Sequence, residues 1–141
     1  MKSDPSKRPG QDFPEAFLHY IWQHQYLQPS RLRTVDGQPV SVHFPGWLNS
    51  DAGPDFHQAR IRIGDIEWTG SVEIHIRSSD FERHQHQTDD AYGNVILHVV
   101  WRTDKQVFRP DGTPLPEAEL HHAVDPQLIK RYASLTESAR S

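Results

Sequence analysis

Three side chains capable of chemistry flank a predicted β-hairpin in the middle of the sequence: Asp55, Glu73 and His75. Two carboxylates from adjacent strands can hold one hard divalent cation through their oxygen atoms. Such a cation lowers the pKa of a bound water molecule and stabilises charge on a phosphoryl group. His75 shares a strand face with Glu73, where it can orient that water or act as a base. In a purely structural alternative, Asp55 caps a turn and Glu73 pairs with Arg60 or Arg62 across the hairpin.

A second group consists of histidines, of which the chain has ten among its 141 residues. The His84-x-His86 spacing can place two imidazoles on one side of a strand or loop. Together with His75 they would form a three-histidine site for zinc or another transition metal. In the alternative interpretation, residues 81–88 form only a solvated polar loop. His98 lies in an apolar strand, where a hydrogen-bonded core histidine is the simpler interpretation.

The strands that position these groups are predicted by alternating apolar residues. Residues 56–63 and 66–77 are typical of the two arms of a hairpin. The alternation along the second arm places Glu73 and His75 on one face and apolar side chains on the other. Residues 95–102 are almost continuously apolar and predict a buried strand.

The rest of the chain predicts two helices and minor strands. The first helix covers residues 14–26, with a capping signal from Asp12 and Glu15, and the second runs from Asp125 to about residue 135. Residues 78–92 are polar, and a short helix within them would be capped by Ser79 or Asp80. The shorter extended segments are residues 31–35, 39–44, 106–109 and 116–120.

These elements predict one α+β domain over residues 13–135, with disordered tails at residues 1–12 and 136–141. The expected architecture is an N-terminal helix, a mainly antiparallel twisted sheet of about five to seven strands, and a C-terminal helix. The net charge of −4 is not the basic balance of a nucleic-acid-binding domain. Any nucleic acid would therefore be held by a local patch or by bridging metal ions.

The residue types that are missing exclude several classes of protein. With no cysteine in the sequence, disulfides, thiolate zinc sites and a cysteine nucleophile are impossible. No apolar run is long enough to cross a bilayer, and the N-terminus lacks the apolar region of a signal peptide. We therefore expect a cytoplasmic protein that does not associate with membranes.

Four sequence blocks resemble a known family: LHYIW at 18–22, DAGPDF at 51–56, GSVEIH at 70–75 and VILHVV at 95–100. They resemble the bacterial family catalogued as domain of unknown function 2851, over about residues 13–132. Members of that family are typically much longer. The resemblance therefore implies that this chain corresponds to their N-terminal part, and that a missing C-terminal region or a protein partner supplies further surfaces. The family is uncharacterised, so the resemblance implies no activity.

The chain is also similar to the PD-(D/E)XK nuclease fold. Pro54 and Asp55 match its Pro-Asp pair, Glu73 matches the acidic residue on the next strand, and Glu15 matches the acidic residue often found on the first helix. His75 departs from the pattern, which has lysine there. Lysine supplies a fixed positive charge, whereas histidine does so only when it is protonated or bound to a metal.

These observations favour a divalent-metal-binding domain that hydrolyses a phosphodiester. Asp55 and Glu73 would hold Mg²⁺ or Mn²⁺, and His75 would position or activate water. One alternative is a zinc hydrolase built on His75, His84 and His86. The other is a non-catalytic module that binds a protein partner or nucleic acid.

Overall fold

The structure, a computed structural model, describes residues 14–84 and 86–140, without the side chains of residues 136–140. Its α-helices are α1 (Glu15–His24), α2 (Asp80–Arg83) and α3 (Pro126–Arg140). Its strands are β1 (Val40–Phe44), β2 (Trp47–Leu48), β3 (Phe56–Ile63), β4 (Ile66–Arg77), β5 (Val95–Arg102) and β6 (Glu117–Glu119). Short 3₁₀ helices cover Pro29–Arg31, His86–Thr88 and Asp90–Tyr92. Among the described helices, none combines the length and the apolar character needed to cross a membrane.

The strands form one six-stranded sheet in the order β1-β3-β4-β5-β6, with β2 also paired to β3. This confirms the predicted α+β class and strand number. The sheet is mixed, because β3 is antiparallel to its three neighbours whereas β4, β5 and β6 are mutually parallel. Two neighbouring parallel strands require a crossover connection that returns the chain to the end of the sheet where the first strand began. The polar residues between β4 and β5 provide that crossover.

The strongest sequence patterns give the strand bounds correctly, and the weak ones do not. Strands β3, β4 and β5 match the predicted ranges, whereas residues 31–35 and 106–109 contribute only isolated bridges: Arg33 to Pro39, Thr34 to Ala118 and Phe108 to Pro114. Two of the three partners are prolines, which lack the N–H group that continues a strand ladder. The segment 116–120 does form a strand, as β6.

The helices also differ from prediction at their ends. Pro14 is the N-cap of α1 and makes no side-chain capping bond, and α1 ends before Gln25, whose φ of 54° is left-handed. Asp12, Phe13, the tail at 1–12 and Ser141 lie outside the described residues. Helix α3 continues to Arg140, beyond the predicted end near residue 135.

The main hydrophobic core lies between the helices and one face of the sheet. Leu18, Ile21 and Trp22 of α1 are fully buried against strand residues that include Ile74. Leu128, Ile129 and Tyr132 of α3 pack against the same cluster. Burying each such large apolar side chain stabilises the fold by about 1.5–3 kcal/mol.

The opposite face of the sheet is also covered, which the alternation along β4 does not predict. Alternation along β4 places Glu73 and His75 away from Ile74, as predicted. These two side chains are nevertheless only 3% and 2% exposed. A second apolar cluster containing Phe81 and Tyr92 shows that the crossover packs onto this face. The polar face of β4 is therefore an interior surface.

Gly70 permits the close approach of β4 to the chain that enters β5. A Cβ atom at this position would lie 2.6 Å from the Asn94 carbonyl oxygen and 2.6 Å from Cγ2 of Ile96. Overpacking of this kind typically costs about 1–3 kcal/mol. We expect Gly70→Ala to lower the free energy of unfolding by that amount in urea denaturation. Thr69→Ala, at an exposed neighbouring position, is the control, and equal stability of the two variants would contradict this packing.

Candidate metal centre

Three strands place complementary polar side chains in one row on the buried face. In the parallel registers, Glu73 of β4 is opposite His98 of β5, and His98 is opposite Glu117 of β6. His75 follows two residues along β4 on the same face. All four residues are less than 9% exposed. Buried polar groups of this kind are stable only when they bind one another or a ligand.

The crossover brings His84 and His86 over His75. Each of the three imidazoles offers a nitrogen, and these atoms lie within 4.8 Å of one another. His84 is the C-cap of the short helix α2, which follows β4 along the chain. The Tyr92 ring stacks on His86 with centroids 3.8 Å apart and fixes its orientation. The structure therefore brings the three predicted histidines together, although no regular strand carries the second and third.

Glu73 offers a fourth candidate donor beside two of these imidazoles. Its Oε2 atom lies 2.8 Å from His86 Nε2 and 3.7 Å from His75 Nε2. Ligands about 2.0–2.1 Å from a tetrahedral zinc ion are separated from one another by about 3.3 Å. The two observed distances bracket that separation. Three imidazoles and one carboxylate are a donor set that suits zinc and other transition metals.

Asp55 lies beside Glu73 at the end of the sheet, as predicted. Its backbone N–H donates to Glu73 Oε1 at 3.1 Å, and its own Oδ2 accepts from the Ile74 N–H at 2.8 Å. The structural alternative, in which Glu73 pairs with Arg60 or Arg62, is wrong. Arg62 pairs with Glu67 at 3.5 Å, and Arg60 lies opposite Thr69 in the register.

The two carboxyl groups have opposite electrostatic properties. Burial, followed by the contact with Asp55 and its negative charge, raises the pKa of Glu73 to about 10. Burial also opposes ionisation of Asp55, but contacts with His19 and Glu73 outweigh it and lower the pKa of Asp55 to about 2. In the metal-free chain, Glu73 is therefore neutral and Asp55 carries the charge. A bound cation would replace the proton on Glu73.

The buried histidines are in the form that binds metals. Burial, with a further contribution from His98 and His86, lowers the pKa of His75 to about 2. Burial and then His84 lower the pKa of His86 to about 4. Both imidazoles are therefore neutral at neutral pH, and a neutral imidazole has the lone pair that a metal requires.

Helix α1 adds two residues to the edge of the site. His19 Nε2 lies 3.4 Å from Asp55 Oδ2. Burial, followed by the negative charge of Asp55, raises the pKa of Glu15 to about 7. Glu15 was expected from its match to the nuclease pattern, but the sequence analysis missed His19. The available signal was its spacing of four residues from Glu15, which puts both on one helix face.

A second cluster of donors is a weaker candidate. Glu119, His121 and His122 also offer atoms within 4.8 Å of one another, but His122 is 68% exposed. Burial and then the Arg102 guanidinium lower the pKa of His121. A fixed positive charge beside the cluster opposes the binding of a cation. The sequence analysis assigned this histidine pair no role, and the structure gives no reason to change that.

The fold and the site define an α+β domain with a histidine-carboxylate cluster where the crossover meets the sheet, with His75 and Glu73 buried and His84 exposed. The family model described as "Protein of unknown function (DUF2851)" matches residues 15–141. The chain therefore belongs to this family, as the sequence resemblance indicated. No curated protein and no solved structure matches the chain. The similarity to the nuclease fold stays a prediction.

The raised pKa of Glu73 gives a pH-dependent stability. Its ordinary pKa of 4.5 rises to about 10 in the fold, so its stabilising contribution is complete below about pH 4.5 and is lost as the pH increases towards 10. We expect Glu73→Gln to melt progressively higher than the metal-free wild type between about pH 5 and 8.5. The difference should reach several degrees, since one pKa unit corresponds to about 1.4 kcal/mol.

Thermal melting in the presence of a chelator measures this difference. Glu67→Gln is the matched control, because Glu67 is 58% exposed and lies on the same strand. A difference in melting temperature between Glu73→Gln and wild type that stays constant across this pH range would show that Glu73 is ionised without a metal.

Proposed function

We propose that this protein binds one divalent transition-metal ion through His75, His84, His86 and Glu73, and uses it to hydrolyse a phosphodiester. Three imidazoles whose nitrogen atoms lie within 4.8 Å of one another carry the proposal, and Glu73 Oε2 lies 2.8 Å from His86 Nε2 and 3.7 Å from His75 Nε2. Because three donors are imidazoles, the site favours zinc over manganese, which suits oxygen ligands better. Magnesium, which prefers oxygen ligands, suits it less.

The chain's own groups would support hydrolysis as follows. A bound divalent ion that took a water as a further ligand would lower the pKa of that water and offset charge on the phosphoryl group. Asp55, which stays ionised, would accept a hydrogen bond from that water and orient it. Glu15, with its pKa raised to about 7, would take up a proton near neutral pH. His19 would hold Asp55 in place and donate to an anionic substrate when protonated.

Two parts of the site reach solvent: His84 on the crossover is exposed, and the edge of the site near α1 is partly exposed. The Glu73 and His75 side chains are only 4% and 2% exposed, whereas those of Asp55 and His19 are 22% and 26% exposed. A substrate would therefore approach from the end of the sheet that α1 borders. This edge also carries Pro54 and Asp55, the residues that match the nuclease pattern.

A non-catalytic domain with a structural metal is the second candidate. A zinc site with four protein ligands is usually closed and structural. Residues 78–92, which carry two of the four donors, have little regular structure, and a metal would fix them onto the sheet. In this case the metal would stabilise a surface that binds a partner, and no turnover would occur.

Zinc binding by calorimetry tests the metal site. We expect the wild type to bind one zinc ion per chain. His84→Ala and His86→Ala should weaken binding by at least about 100-fold, since loss of an outer-shell partner alone costs roughly 10–100-fold. His43→Ala is the control, because His43 is 45% exposed and pairs with Glu67. Equal loss of binding in the control, or no binding by the wild type, would contradict the site.

Hydrolysis of bis(4-nitrophenyl) phosphate separates the two candidates. We expect the zinc- or manganese-loaded wild type to turn over this substrate. Asp55→Asn should reduce kcat by about 10²–10⁴-fold, the usual effect of losing a proton-transfer group, while still binding zinc. Asp51→Asn, in the exposed part of the same loop, is the control. A loaded wild type that is no faster than free zinc would favour the structural metal.

A further inference from the structure

We infer that His98 and Glu117 are positioning residues, which fix the tautomer of His75 and thereby present its Nε2 atom to the metal. This inference rests on the proposed metal site and deepens it. His98 and Glu117 do not bind the metal themselves, but they would decide whether His75 can bind it.

A continuous chain of hydrogen bonds links these residues. His75 Nδ1 and His98 Nε2 are 2.8 Å apart, and His98 Nδ1 lies 3.1 Å from Glu117 Oε2. His75, His98 and Glu117 are 2%, 0% and 7% exposed. Because water is excluded, these groups depend on one another for hydrogen bonding.

The Glu117 end of this chain of hydrogen bonds is held by further hydrogen bonds. Glu117 Oε1 accepts a hydrogen bond from the Ser78 hydroxyl. The Ser78 oxygen accepts in turn from the Asp104 backbone N–H at 3.1 Å. Ser78 Oγ also lies 3.1 Å from Thr103 Oγ1. Ser78 therefore ties one oxygen of Glu117 to the Thr103-Asp104 segment, and the second oxygen faces His98.

The direction of each hydrogen bond follows from this arrangement. As a carboxylate, Glu117 can only accept, so His98 must donate through Nδ1. A neutral His98 then has its lone pair on Nε2 and accepts the hydrogen of His75 Nδ1. The lone pair of His75 is consequently on Nε2, the atom that lies 3.7 Å from Glu73 Oε2. The direction of hydrogen bonding set by Glu117 is passed on through His98. It thus selects the metal-binding tautomer of His75.

The sheet provides the rigidity that this ordering needs. His75, His98 and Glu117 lie on three adjacent parallel strands, and the register places His98 opposite Glu117. Metal-binding histidines usually donate their second N–H directly to a carboxylate or carbonyl. Here an imidazole is inserted between the ligand and the carboxylate, because β5 separates β4 from β6.

Nitrogen NMR of the metal-free protein tests the tautomer directly. Long-range ¹H–¹⁵N correlation spectra distinguish a proton on Nδ1 from a proton on Nε2 in each histidine. We expect both His75 and His98 to carry the proton on Nδ1 in the wild type. In Glu117→Leu we expect His75 to lose this single tautomer. A His75 proton on Nε2 in the wild type would overturn the inference.

Zinc affinity of matched variants tests the consequence. Glu117→Leu should weaken zinc binding by about 10–100-fold, the usual cost of losing an outer-shell partner. Glu117→Gln, which keeps an acceptor oxygen for His98, should restore most of that affinity. Leu115→Ala is the control for packing, because Leu115 is 1% exposed and lies two residues from Glu117.

The two readouts separate this inference from the metal proposal. Equal zinc affinity in Glu117→Leu and Leu115→Ala, with both variants folded by circular dichroism, would overturn the positioning role even if the wild type binds zinc. A wild type that shows the expected tautomers but binds no zinc would overturn the proposed function, and with it the role of this hydrogen-bond chain in presenting a ligand.

Discussion

The burial of two carboxyl groups side by side is the constraint on which the site depends. Two negative charges in contact inside a protein cannot both persist without compensation. In the metal-free chain a proton on Glu73, whose pKa is raised to about 10, removes one of them. A divalent cation is the other way to satisfy the pair, and the neighbouring neutral imidazoles supply the remaining ligands. Burial raises the free energy of the Glu73 anion, and a bound cation would lower it. The same burial therefore favours Glu73 as a metal ligand.

The mixed sheet creates this buried polar surface. The antiparallel pair β3 and β4 sets Asp55 beside Glu73. The parallel pair β4 and β5 then requires a crossover, and the crossover covers the polar face that a simple hairpin sheet would leave open to water. The crossover also carries His84 and His86, so the covering segment and the metal-binding segment are the same. Closure of the fold and assembly of the site are therefore a single event.

Sequence periodicity was sufficient for β3, β4 and β5, because each has a long alternating or apolar pattern. It also pointed to histidines that the fold brings together, since the spacing of His84 and His86 is visible along the chain. It could not show that β4 and β5 are parallel, because strand direction depends on the path of the crossover. For that reason the burial of the Glu73 face could not be predicted, and Glu117 was missed. Glu117 reaches the site only through the register of β6 with β5, which no local pattern encodes.

Diffraction from crystals grown with zinc, with anomalous data collected at the zinc edge, tests the central claim most directly. The account predicts one strong anomalous peak, about 2.0–2.1 Å from nitrogen atoms of His75, His84 and His86 and from a Glu73 oxygen. A peak confined to the exposed cluster of Glu119, His121 and His122 would contradict it. So would the absence of any peak from the buried face of β4 at saturating zinc.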